Sequence, residues 1–137
     1  MTARSAVEAV LDEFHAAAAA ADEERYFATL APDAVFLGTA PGERWQGEAW
    51  RAFVHRYFSQ GKGWAYVSSE RSVEIGSDER TAWFDEILEN ESYGACRGSG
   101  VLRRKDEWRI VQYNLTIPVP DGLAPDLVTR IREMRPA

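Results

Sequence analysis

The sequence predicts an α+β domain in which helices pack on one face of an antiparallel or mixed sheet. Stretches with helical spacing come first, strand-type runs then fill the chain to Pro118, and this order suits segregated layers rather than alternating βα units. A third observation concerns what the sheet encloses. The runs TAWFDEILENE (Thr81 to Glu91), YGACRGSGVLRRK (Tyr93 to Lys105) and EWRIVQYNLTIP (Glu107 to Pro118) carry polar groups where a half-buried sheet would have apolar ones, which points to an internal cavity.

Val7, Val10, Leu11, Phe14 and Ala18 recur at three and four residues, so Ser5 to Ala21 is an amphipathic helix with Ser5 as its N-cap. The alanine run Ala16 to Ala21 favours helix and keeps its surface thin for close packing. Asp22 caps a shorter helix through Leu30, ended by Pro32. Ala34 to Thr39 reads as a short strand and Ala40-Pro41-Gly42 as a loop. Gly47 to Gln60 returns to helical spacing through Trp50, Phe53, Val54, Tyr57 and Phe58, until Gly61-Lys62-Gly63 stops it. Strand follows from Trp64 to Ile75 and through the three runs above. Asp121-Gly122 turns the chain, and Leu127, Val128 and Ile131 mark a final short helix.

The 137 residues form one domain, large enough to bury roughly two thirds of the unfolded surface. A net charge of −6, with no basic cluster beyond Arg103-Arg104-Lys105 at a turn, leaves no footprint for nucleic acid. The single cysteine, Cys96, excludes an intramolecular disulfide and suits a reducing, cytoplasmic location. Only two histidines, His15 and His55, are present, so no metal-ligand spacing exists and no metal or other cofactor is expected. Acidic residues Glu8, Asp12 and Glu13 interrupt the N-terminal apolar stretch, and neither a signal peptide nor a membrane span is expected. Gly98-Ser99-Gly100 lies within a strand pattern with no helix after it, unlike a nucleophile elbow, and Gly61-Lys62-Gly63 is too short for a phosphate loop.

Glu43-Arg44-Trp45-Gln46-Gly47 leading into the third helix, with Ala82-Trp83-Phe84-Asp85-Glu86, Arg97-Gly98-Ser99-Gly100-Val101-Leu102 and Gln112-Tyr113-Asn114-Leu115-Thr116, resembles the SnoaL-like branch of the nuclear transport factor 2-like superfamily. The resemblance runs from about Val7 to Pro120. It implies a strongly curved sheet wrapped on helices as a cone-shaped half-barrel around a pocket, often dimeric through the outer sheet face. Relatives include isomerases, dehydratases and cyclases, so the fold alone leaves function open.

Strand pairing proposes which polar groups meet. A tight hairpin at Asp106-Glu107 sets Lys105 opposite Trp108, Val101 opposite Gln112, Ser99 opposite Asn114 and Arg97 opposite Thr116. A hairpin about Ser92 sets Ile87 opposite Arg97, Asp85 opposite Ser99 and Trp83 opposite Val101. Trp83, Asp85, Arg97, Ser99, Gln112 and Asn114 then share one face. That face is either a solvated exterior, with the Phe84, Leu88, Leu102, Tyr113 and Leu115 side as core, or the cavity wall. Trp83, Val101 and Ile110 at the same parity favour the wall, because exposing them is costly, and so does the resemblance, in which polar residues late in the last strand look inward.

On that reading Asp85 is the leading acid or base, its pKa raised by desolvation and lowered by Arg97; the plain alternative is a structural Asp85–Arg97 ion pair. His15, four residues after Leu11 on the first helix, is the second acid-base candidate, and Glu86 points away from Asp85. Trp83, Arg97, Ser99, Gln112 and Asn114, with Tyr57 and Trp50 on the third helix, complete the expected ligand contacts. Two functions fit. One is a pocket that binds a small, largely apolar molecule bearing a carbonyl or hydroxyl. The other is a cofactor-independent isomerase, cyclase or dehydratase using Asp85 or His15. Apolar residues at both strand parities, Trp83, Ile87 and Val101 against Phe84, Leu88 and Leu102, add a homodimer through the outer sheet face.

Overall fold

The computed structural model describes residues 1–135. Helix α1 spans Ala3–Ala20 and begins earlier than its apolar spacing suggests, because Thr2 rather than Ser5 is the cap: its Oγ1 accepts from the Ser5 N–H at 3.1 Å. Its buried stripe is Val7, Leu11, Phe14, Ala17 and Ala18. The thin alanine surface has a definite use. The Ala18 carbonyl accepts the Trp64 N–H at 3.1 Å, an approach that a side chain at Gly63 would block, since its Cβ would run into that same carbonyl. Helix α2, Glu23–Ala28, is capped by Asp22 as expected, with Oδ1 accepting from the Arg25 N–H at 3.2 Å.

Strand β1, Leu30–Leu37, starts before Pro32 rather than after it. Pro32 is tolerated because pairing to the neighbouring strand breaks between Leu30 and Val35, where a missing N–H costs nothing. Strand β2, Arg44–Gln46, folds back on β1 where the sequence shows only a lead-in to a helix. Helix α3 runs Glu48–Phe58, burying Trp50, Val54 and Phe58. Strands β3 (Val67–Ile75), β4 (Thr81–Asn90), β5 (Gly94–Arg104) and β6 (Trp108–Thr116) follow. The six strands form one mixed sheet, β2-β1-β6-β5-β4-β3, antiparallel except where β1 runs parallel to β6. Helix α4, Ala124–Met134, follows and buries none of its side chains.

Most expected pairings are present: Trp83 with Val101, Asp85 with Ser99, Ile87 with Arg97, Val101 with Gln112, Ser99 with Asn114 and Arg97 with Thr116. The turn end of β5–β6 differs. Arg104, not Lys105, lies opposite Trp108, and a bulge between the Val101 and Leu102 pairings leaves Val111 unpaired. The extra residue flips the side-chain alternation of β6, so Ile110 and Tyr113 both point into the core although they stand an odd number of positions apart.

The face assigned to the cavity requires correction. Helices cover the side bearing Ala82, Phe84, Leu88, Cys96, Leu102, Tyr113 and Leu115, all buried in one cluster. Trp83, Asp85, Arg97 and Gln112 are exposed on the opposite side, and Ser99 and Asn114 are half-buried there. The physical reason is the bulge: Ile110, which argued for burying that face, belongs to the other one and is fully buried.

Candidate functional site

Two layers make the site. The upper layer is an open cleft of about 540 Å³ between α3, the β1–β2 hairpin, the Gly63–Tyr66 segment and the β4–β5 turn. Helix α3 contributes Trp50, Phe53 and Tyr57 at spacings of three and four, which places them on one helix face. Trp45 of β2 packs on Phe53 with ring centroids 4.7 Å apart, and Phe36 of β1 stacks on Trp50 at 4.4 Å. Trp64 and Tyr66 close the far side. The turn wall depends on Asn90, whose Oδ1 accepts the Ser92 and Tyr93 N–H groups while Nδ2 donates to the Ala65 carbonyl.

Below it, Phe36, Trp64, Tyr66 and Leu115 also border a small void of about 20 Å³ that reaches His15 and Tyr113. That volume holds one water-sized group. Beneath His15 lies a charged network. Glu86 of β4 is 1% exposed. Its Oε2 accepts from the Tyr113 hydroxyl at 2.6 Å and lies 2.7 Å from His15 Nε2, while Oε1 accepts from Arg71 Nε at 2.9 Å. Arg71, opposite Glu86 on β3, also reaches Asp12 Oδ1 of α1 at 2.8 Å. Burial alone would push the Glu86 carboxyl up, but the hydrogen bond and charge of His15, the Tyr113 hydroxyl and Arg71 outweigh it and hold it at about 2. The Tyr113 phenol moves the other way, well above its usual range, through burial and the adjacent Glu86 charge. An ionised Glu86 therefore takes its hydrogen from Nε2 of His15, leaving Nδ1, for which no protein partner is found among the described residues.

Gly98 of β5 makes this arrangement possible. It sits opposite Glu86, and a Cβ there would strike the Tyr113 hydroxyl.

Of the residues singled out by sequence, Trp50 and Tyr57 line the cleft and His15 borders the void beneath it. Trp83, Asp85, Arg97, Ser99, Gln112 and Asn114 are together, as paired, but on the face turned away from both. No Asp85–Arg97 ion pair forms among the described residues. Sequence reasoning missed Glu86, Arg71 and Tyr113 as a unit. A signal existed: Glu86 interrupts the apolar series Ala82, Phe84, Leu88, and a glycine stands opposite it. Among the described residues no cluster of His, Cys, Asp and Glu is suited to a metal ion, and no helix is long and apolar enough to cross a membrane.

Helices on one face of an unclosed, six-stranded mixed sheet, with a cleft at one end, define the nuclear transport factor 2-like class of fold. Residues 7–120 match the SnoaL-like domain, and the chain belongs to that family. A nuclear transport factor 2-like protein from Cytophaga hutchinsonii is similar in structure, with TM-score 0.70 and 21% identity over 86% of this chain and 100% of that one. A candidate dehydratase of the same fold family from Streptomyces avermitilis has TM-score 0.69 and 13% identity, covering 85% and 96%. A candidate scytalone dehydratase from Novosphingobium aromaticivorans has TM-score 0.68 and 14% identity, covering 85% and 84%. No curated protein matches the chain.

The depressed Glu86 pKa makes stability depend on pH in a definite sense. A carboxyl held at about 2 when folded and near 4.5 when unfolded stabilises the fold above pH 5 and loses that contribution as pH falls through 2. Urea unfolding is expected to show a loss on the order of 3 kcal/mol across that window, and Glu86→Gln flattens the profile; an equal slope in the variant contradicts the assignment.

Gly98→Ala is expected to destabilise by about 1–3 kcal/mol, through overpacking against the Tyr113 hydroxyl. Combining it with Tyr113→Phe removes the nearer of the two ring atoms struck, the hydroxyl, and leaves Cζ at 2.7 Å, so melting temperatures of the two singles and the double are expected to be partly non-additive. Additive losses would place the strain elsewhere.

Proposed function

We propose that this protein binds a small, largely apolar molecule, seated in the aromatic cleft with a carbonyl or hydroxyl oxygen directed toward His15. One observation carries the reading: a cleft of about 540 Å³ rich in aromatic side chains shares Phe36, Trp64, Tyr66 and Leu115 with a void of about 20 Å³ beside a histidine. Ligand sites of this size are typically apolar with a few placed polar groups. Trp50 and Tyr57 are the ligand contacts of this reading. Titration with 2-naphthol, followed by tryptophan fluorescence, is expected to saturate; Tyr57→Ala weakens it and Asp85→Asn, on the outer face, leaves it unchanged. Absence of saturable quenching at millimolar probe counts against the proposal.

A second reading is favoured by the His15–Glu86 pair. A histidine held by an ionised carboxylate at one nitrogen and without a partner among the described residues at the other is arranged to move a proton, as a cofactor-independent isomerase, cyclase or dehydratase requires. In that reading His15 replaces Asp85 as the acid-base residue. Once a co-purifying ligand is identified by native mass spectrometry, His15→Gln is expected to keep its binding and to lower turnover by about a hundredfold or more. Unchanged turnover removes His15 from the chemistry, and tight binding without turnover in the parent leaves the non-catalytic pocket.

The partner proposed besides the ligand is a second copy of the chain. Trp83 is 49% and Ile87 42% exposed on the outer sheet face, and the Leu127, Val128 and Ile131 stripe of α4 is uncovered. An isolated helix of this length is marginal in water, so its apolar stripe favours a docked state. Strands β3 and β4 present Glu70, Glu74, Asp85 and Glu89 outward, while α4 balances Arg130 and Arg132 with Asp126 and Glu133, so the apolar stripe rather than charge favours docking. Asp85, Arg97, Gln112 and Asn114 then belong to an interface rather than a pocket. Light scattering is expected to give twice the chain mass, and Trp83→Glu a monomer; a monomeric parent at micromolar concentration contradicts it.

A further inference from the structure

The cleft wall has a charge character that the binding reading does not use. Its lining includes two carboxylates, Glu43 and Glu91, and no lysine, arginine or histidine. Neither carboxylate has a salt-bridge partner among the described residues. Glu43 is held in place all the same: its Oε2 accepts the Ala40 N–H at 2.9 Å and lies against Gly38, where a Cβ would collide with it. The rings around them form a connected set. Phe53 contacts Trp45, Trp50 and Tyr57 at centroid distances of 4.7, 5.4 and 5.0 Å, and Trp64 stands 6.2 Å from Trp50.

Aromatic faces are negative and attract cations, tryptophan most strongly. Unpaired carboxylates on the same wall add to that field, and the chain's net charge of −6 draws cations toward the molecule. The Tyr66 phenol is pushed up to about 12, by burial above all, with Glu43 the smallest of the contributions. A neutral ligand brings neither carboxylate a counter-charge, and an anion is repelled by them.

We infer that the cleft takes a cation, specifically a small ligand bearing an alkylated ammonium group. The ammonium sits among the rings beside Glu43 and Glu91, with the ligand's apolar body in the cleft. This rests on the cleft being the ligand site and adds the charge class of what enters it. The alkyl shell matters because it matches the rings and lowers the desolvation cost that a bare ammonium would incur.

Choline and 3,3-dimethylbutan-1-ol have the same shape and hydroxyl, and differ by nitrogen against carbon at the branched centre. Calorimetry and tryptophan fluorescence on the full chain are expected to show choline bound at least about tenfold tighter. The double variant Glu43→Gln, Glu91→Gln preserves size and the acceptor for the Ala40 N–H, and is expected to remove most of that preference. Equal affinities, a preference for the alcohol, or an unchanged preference in the double variant overturns the inference. The two levels of failure separate with 2-naphthol as a neutral control. If 2-naphthol binds while choline shows no advantage, the cation inference alone is overturned; if none of the three binds at millimolar concentration, the ligand reading of the cleft is overturned with it.

Discussion

The ionised carboxylate of Glu86, inside the core, is the constraint on which the arrangement of the other elements depends. A buried charge is tolerated only when it is compensated and hydrogen-bonded, and Glu86 draws its partners from three other elements: His15 of α1, Arg71 of β3 and Tyr113 of β6. A fourth, β5, contributes the vacancy at Gly98. The helix thus sits at a fixed height over the sheet, since Arg71 binds Glu86 and Asp12 of α1 together. Purely apolar contacts from Val7, Leu11 and Phe14 would hold α1 down without setting its register. The polar network supplies that register, and with it the position of His15 under the cleft.

That division of labour explains why the site has an open, aromatic-rich upper part and a charged base. The wall comes from elements whose local sequence is rich in large rings, α3 and β2, and from Trp64, which the Ala18 carbonyl fixes through the backbone. The base comes from residues far apart in sequence, joined by strand pairing: Arg71 with Glu86, Glu86 with Gly98. Among the described residues only His15 and Tyr113 belong to both the network and the void, so any group that enters that void meets the network through them.

The α+β order, the first and third helices, and the pairing of β4, β5 and β6 were legible in the sequence because each rests on a local pattern: apolar spacing, turn residues, alternation. Strand β2 was not, since Arg44–Gln46 is too short to carry a pattern and is a strand only because β1 lies beside it. The site was legible in part. Tyr57 and Trp50 follow from the period of α3, and His15 from its place beside the buried stripe of α1. Asp85 and its neighbours were grouped correctly and put on the wrong side: of the three apolar residues that argued for burying that face, Trp83 and Val101 lie on it without being buried, and Ile110 lies beyond the bulge at Val111. A bulge changes parity without any change in composition, and nothing in the residues Arg109 to Gln112 announces it.

Once the parity is known, the two polar sets on the sheet have distinct physical signatures. On the outer face polar residues occur in numbers, Asp85, Arg97, Ser99, Gln112 and Asn114, among exposed apolar ones such as Trp83 and Ile87; within the chain all of them are exposed or half-buried, and no network forms around any one of them. On the inner face a single carboxylate stands alone in an apolar series, and its neighbours are arranged around it: an arginine opposite on one side, a glycine opposite on the other, a tyrosine and a histidine above. Desolvation makes a lone buried charge expensive, so a sequence that retains one must also supply its partners. In this chain the more isolated of the two acidic neighbours in β4, Glu86 rather than Asp85, is therefore the one around which the rest of the site is organised.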